Sequence, residues 1–139
     1  MGKKILVVDD SSSMRKMVRY SLEEEGYEIM EAKDGSEGLA MLDSVSELKL
    51  IITDVNMPNM NGLELVAAMR KDELLKSVPV LVITTEGNQV RLNEFKEKGV
   101  SGYIKKPFTP EEIRLKLHEI LGEVHHDQGS EIGNDGIDF

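Results

Sequence analysis

Three carboxylates, two hydroxyls and an amine stand where apolar runs of this chain give out. Asp9 and Asp10 follow "KILVV", Asp54 follows "LIIT", Thr84 closes "VPVLVIT" with Thr85 next, and Lys106 follows "GYIK". Singly, each has an ordinary structural reading. Asp10 or Ser11 suits a helix N-cap, Asp54 an Asx turn, and Lys106 a solvated side chain. As a set they are reactive. Acids held together repel, and a proton stays on one or more of them unless cations intervene. A divalent ion and the Lys106 ammonium balance the three acids. All-oxygen ligands select a hard ion that keeps some of its waters, so Mg²⁺ is expected. A backbone carbonyl in the turn after Asp54 can serve as a further ligand. A carboxylate beside a metal, a hydroxyl and an ammonium suits phosphoryl transfer through an aspartyl-phosphate, where positioning and charge neutralisation carry most of the catalysis.

Such a set works only if the fold gathers it. Short apolar runs predict strands over 4–8, 27–31, 50–53, 78–84 and 102–105, three of them nearly continuous in Val, Ile and Leu. Between them, apolar stripes predict helices over 12–25, 36–43, 62–76 and 88–98. A last helix starts at a capping box, Thr109 with Pro110 and Glu112, and stops at Gly122. Five β–α units of this kind predict a parallel α/β sheet with right-handed crossovers. In such sheets functional groups collect outside the carboxyl ends of the strands. Those ends are where the acids, hydroxyls and amine fall.

Composition narrows the reading. The chain has 139 residues, 40% of them hydrophobic, which suits one compact domain over residues 1–124. No apolar run approaches the roughly 20 residues that span a bilayer, and the start has no secretory pattern. With no cysteine, disulfides and thiolate metal sites are excluded. His118, His125 and His126 lie away from the strand ends, which argues against a His-ligated metal. No GxGxxG turn, Walker A loop or Ser–His–Asp arrangement is present. The net charge is −9; residues 125–139 hold four acids and no Lys or Arg, and the stretch before them holds 17 basic and 22 acidic side chains. That sign disfavours nucleic acid as a partner, so a cytoplasmic protein acting by protein contact is expected, with no membrane association.

The motifs "ILVVDDSSSMRKMV", "DVNMPNMNGLELV", "VLVITTE" and "GYIKKPFTPEEI" resemble the receiver domain of two-component response regulators, and the likeness covers residues 3–122. Around Asp54 it is especially similar to the single-domain chemotaxis regulators. The resemblance implies a flavodoxin-like (βα)5 fold of strand order 2-1-3-4-5. It implies Asp54 as phosphoacceptor, with Asp9, Asp10 and the Asn56 carbonyl as further metal ligands. Thr84, with Thr85 beside it, falls on the hydroxyl that follows the phosphoryl group. Lys106, preceding a cis Pro107, falls on the phosphoryl-binding lysine, and Tyr103 on the aromatic switch. Asn56 and Glu86 fall where the family tunes hydrolysis.

The family's output surface is the fourth helix, fifth strand and fifth helix. Here it would present Arg91, Lys96, Tyr103, Lys105, Arg114 and Lys116, a basic face suited to an acidic amphipathic partner. The implied partners are a histidine kinase and an effector such as a flagellar motor switch protein, with a phosphatase as a further candidate. Catalysis is expected only of the chain's own phosphorylation and dephosphorylation. Two alternatives keep the aspartyl-phosphate: a relay receiver that passes phosphate to a histidine phosphotransfer protein, and a phosphatase-type enzyme. The second lacks its usual general acid, since Asn56 stands two residues after Asp54. The tail over 125–139 reads as disordered, with docking on the basic face or phosphatase recruitment as alternatives.

Overall fold

The structure is a computed structural model that describes residues 3–42, 45–85 and 89–122, with the backbone alone for 89–92. Elements alternate strictly: β1 (Lys4–Val8), α1 (Ser12–Glu23), β2 (Glu28–Ala32), α2 (Gly35–Leu42), β3 (Leu48–Asp54), α3 (Gly62–Arg70), β4 (Val80–Thr84), α4 (Gln89–Glu97), β5 (Gly102–Lys105) and α5 (Pro110–Leu121). All strand pairs are parallel, in the order β2-β1-β3-β4-β5. The expected flavodoxin-like topology is therefore present.

The continuous apolar runs are explained by covering helices on both faces. Along β1, Ile5 and Val7 enter one core with α1 and α5, while Leu6 and Val8 enter a second with α2, α3 and α4. β3 and β4 divide the same way: Leu50, Ile52, Leu81 and Ile83 face α1 and α5, and Ile51, Val80 and Val82 face the other layer. Each such side chain contributes about 1.5–3 kcal/mol on burial. This double core makes the strands a rigid frame, and the site sits on its carboxyl edge.

Helix ends follow local chemistry. Asn61 and Thr109 open α3 and α5 with full capping boxes, and Ser11 accepts from the Met14 N–H at the start of α1. Gly122 closes α5 at φ 65°, in the left-handed region glycine tolerates.

Several expected boundaries shift, most by one or two residues, as where β3 starts at Leu48, and two shifts have a clear local cause. The helix predicted over 62–76 stops at Arg70, and Leu74, expected on its apolar stripe, is 86% exposed. Asp72 Oδ1 takes the Leu74 N–H at 2.8 Å, an Asx turn that competes with helical bonding. Arg70 meanwhile donates to the carbonyls of Lys76, Val78, Lys98 and Gly99 and fastens that turn to the end of α4. The strand predicted from 78 begins at Val80, because Pro79 has no N–H for the ladder; its carbonyl accepts from Ile51 instead. Among the described residues, no helix is long and apolar enough to cross a membrane.

Candidate functional site

The ends of β1 and β3 bring the three acids together. One carboxylate oxygen from each of Asp9, Asp10 and Asp54 lies within 4.8 Å of the others. Lys106 Nζ stands 3.6 Å from Asp54 Oδ2 and 3.8 Å from Asp9 Oδ2. Asp9 is fully buried, Asp54 partly so, and Asp10 is exposed, so the cluster opens to solvent on one side.

Each buried acid is held by its own backbone surroundings. Asp9 Oδ1 accepts from the Ser11 N–H at 2.9 Å, and the Asp9 carbonyl accepts from Arg15 Nη1 at 2.6 Å. Asp9 Oδ2 is buried with no hydrogen-bond partner. Asp54 Oδ1 accepts from the Val55 N–H at 2.8 Å, and Thr53 Oγ1 donates to the Asp54 carbonyl at 2.9 Å. A side chain at Gly62 would overlap that same carbonyl oxygen. The glycine is therefore required by close backbone approach where α3 meets the end of β3.

Burial pushes the Asp54 carboxyl above its ordinary range, the Asp9 charge adds to the rise, and Lys106 with the Val55 N–H opposes it. Asp9 is also raised, first by burial; the Ser11 N–H and Lys106 pull it back. A site that penalises its own negative charge, and leaves one buried carboxylate oxygen without a hydrogen bond, is suited to a small divalent cation.

Thr84, Thr85 and Asn56 lie at the same carboxyl edge of the sheet, where β3 and β4 end. Thr84 ends β4, is buried, and donates from Oγ1 to the Thr85 carbonyl at 3.1 Å; Thr85 is exposed. The Thr84 carbonyl takes the Lys106 N–H at 2.7 Å, which locks the start of the Lys106 segment to β4. The Lys106–Pro107 bond is cis. Asn56 is exposed in the turn after Asp54. Glu86 and the tail over 125–139 lie outside the described residues.

Of the expected output face, Lys96 and Lys105 are exposed on α4 and β5, and Arg91 falls on α4. Tyr103 packs against the α2–α3–α4 core, with Lys116 Nζ 5.9 Å from its ring centre. Arg114 departs from that face: its Nη1 donates to the Ser21 carbonyl at 3.2 Å, because its position on α5 turns it toward α1.

Residues outside the sequence-based set also shape the site. Arg15 reaches from α1 to the Asp9 carbonyl and is itself held by Glu31 at 2.9 Å. Asp34 accepts from Asn59 Nδ2 and steadies the turn that leaves Asp54. An acid just before a helix start was the available signal for Asp34. For Arg15 no sequence signal existed, because its partner at the site is the Asp9 backbone carbonyl and its side-chain partner, Glu31, is 16 residues away.

Comparison with known proteins agrees with this geometry. The family model described as response regulator receiver domain matches residues 5–118. The chemotaxis protein CheY1 of Helicobacter pylori is 46% identical over 120 residues, spanning 86% of this chain and 97% of that protein. The chemotaxis protein CheY of Pseudomonas aeruginosa is 41% identical over 123 residues, 88% of this chain and 98% of that one. Among solved structures, the chemotaxis response regulator CheY4 of Vibrio cholerae superposes with a TM-score of 0.80 at 41% identity, covering 87% of this chain and 100% of that one. The chain belongs to the response regulator receiver domain family, a family of signalling proteins. Within it, the domain is of the CheY-like type.

Proposed function

We propose that this chain is a cytoplasmic chemotaxis response regulator that accepts a phosphoryl group on Asp54 from a histidine kinase and signals by binding an effector, such as a flagellar motor switch protein. The observation that carries the reading is the meeting of Asp9, Asp10 and Asp54 within 4.8 Å, with Lys106 Nζ 3.6 Å from Asp54.

A carboxylate oxygen of Asp54 attacks the phosphorus of a phosphohistidine. The new P–O bond forms as the P–N bond breaks, and the electron pair leaves on the imidazole nitrogen, which takes up a proton. Lys106 neutralises a transferring oxygen, and the Thr84 hydroxyl donates to the phosphoryl group once it is in place. Asp9, Asp10, Asp54 and the Asn56 carbonyl would hold Mg²⁺, which supplies charge neutralisation of the transferring oxygens. Hydrolysis resets the switch: water attacks phosphorus, the P–O bond to Asp54 breaks, and carboxylate and inorganic phosphate result. Asn56 and Glu86 occupy the sequence positions at which the receiver family tunes this hydrolysis.

The added phosphoryl charge draws Thr84 inward and lets Tyr103 repack, which biases the α4–β5–α5 face between two arrangements. The two relatives named above are chemotaxis proteins, which supports the pathway. Transfer of label from a phosphorylated chemotaxis kinase tests the reading. Rapid loss of label from the kinase, dependent on Asp54, is expected; a kinase that keeps its label in the presence of the intact chain and Mg²⁺ contradicts it.

A further inference from the structure

The amino-terminal edge of the sheet, opposite the carboxylate pocket, carries two grooves that meet at Val78. One, of about 730 Å³, lies between the ends of α3 and α4 and presents Arg70, Lys71, Lys76 and Lys98 against one acid, Glu97. The other, of about 470 Å³, has Leu48, Leu74, Leu75 and Val78 in its wall, beside Lys49 and the acids Glu47 and Asp72. Leu74 is a large apolar side chain that neither core takes up. Lys76 does have an ion pair, with Glu73 at 3.0 Å, but both side chains are well exposed and such pairs bind weakly. A cationic groove joined to an exposed leucine is unexpected on a chain of net charge −9.

The chain itself carries the complement. Residues 77–79 lead into β4 and residues 99–101 into β5, which fixes the grooves at the amino edge. α5 runs back to this edge, where His118 meets Glu25, just past α1, at 2.7 Å. The chain therefore leaves Gly122 beside the grooves' own edge of the sheet. The 17 residues beyond it hold five acids and no Lys or Arg, with Ile132, Ile137 and Phe139 set among them. Fully extended they reach roughly 55–60 Å, against a width of roughly 35 Å for a domain of this size.

We propose that residues 127–139 dock within the same molecule onto this composite surface. The carboxylates of Asp127, Glu131, Asp135 and Asp138 lie against Lys71, Lys76 and Lys98, and Ile137 and Phe139 cover Leu74 and Leu75. The segment then occupies the edge remote from Asp54 and leaves both the carboxylate pocket and the α4–β5–α5 face open.

The test uses the full-length chain. Because the sequence has no cysteine, Ser130→Cys accepts a single nitroxide label. Selective NMR broadening of the Leu74, Lys76, Ser77, Lys98 and Gly99 amides is expected, relieved by 1 M salt and by Leu74→Asp with Lys76→Glu, both at exposed positions. Broadening centred on Tyr103, Lys105 and Lys116, or no selective broadening, overturns the proposal. So does broadening that appears only when labelled chains are mixed with isotope-enriched unlabelled ones, since the occupant is then a second copy.

Discussion

Asn59 Nδ2 donates to Asp34 Oδ2 at 2.8 Å, and this bond ties the start of α2 to the turn that leaves Asp54. Asp34 also accepts from the Glu37 N–H through Oδ1, and Asn59 sits at φ 64°, a backbone state asparagine tolerates. The Glu37 N–H and then the Asn59 amide hold the Asp34 carboxyl below its ordinary range. Asp34→Ala removes the anchor while leaving every acid of the pocket in place. Mg²⁺ affinity, followed by the amide shifts of Asn56 and Val55, is expected to fall about 10-fold. Unchanged affinity would show that the turn holds its shape unaided.

Gly62 marks a second constraint. Any Cβ there meets the Asp54 carbonyl oxygen, which belongs to the backbone and has little room to yield. Gly62→Ala is expected to cost about 1–3 kcal/mol of stability in urea unfolding. It should slow phosphorylation as well, because the displaced group belongs to Asp54, the proposed nucleophile.

Glu31 links acid stability to the site's support. Burial raises its carboxyl, but hydrogen bonds from Arg19 at 2.6 Å and Arg15 at 2.9 Å outweigh that and hold it lower than usual. An acid depressed in the folded state stabilises the fold above its unfolded value, about 4.3. That contribution disappears as pH falls through the depressed value. Glu31→Gln is expected to lose about 0.5 kcal/mol at neutral pH, after allowance for solvent exposure, and to flatten the urea midpoint below about pH 4.3. A variant whose acid limb matched that of the parent would remove Glu31 from this role.

Much of this was legible in the sequence. The runs Ile5–Val8 and Leu50–Ile52 declared strands covered on both faces, and the acids just beyond them, Asp9, Asp10 and Asp54, declared the pocket. Spacing alone did not reveal Arg15, Asp34 or Arg70. Asp34 and Asn59 are 25 residues apart, and Arg15 and Arg70 bind backbone carbonyls, which carry no residue identity. Leu74 misled because its spacing continues the apolar period of α3. Asp72 and the carbonyls held by Arg70 favour a turn at that point, and local hydrogen bonding overrides the period.

The acid pocket makes a thermodynamic prediction of its own. Burial and mutual repulsion raise Asp9 and Asp54, so ionised carboxylates oppose folding at neutral pH. In EDTA, Asp54→Asn is expected to unfold at higher urea than the parent. Mg²⁺ at ten times its dissociation constant should stabilise the parent by about 1.4 kcal/mol and the variant by less. Equal gains in both would separate Asp54 from the metal.

The central claim is that Asp54 is the nucleophile of a Mg²⁺-dependent phosphoryl acceptor. Incubation with acetyl phosphate and Mg²⁺, followed by mass mapping at low temperature, measures this directly. One phosphoryl group on Asp54, absent in Asp54→Asn and absent after chelation of the metal, is the predicted result. Modification that persists in Asp54→Asn, or that proceeds equally in EDTA, would contradict it.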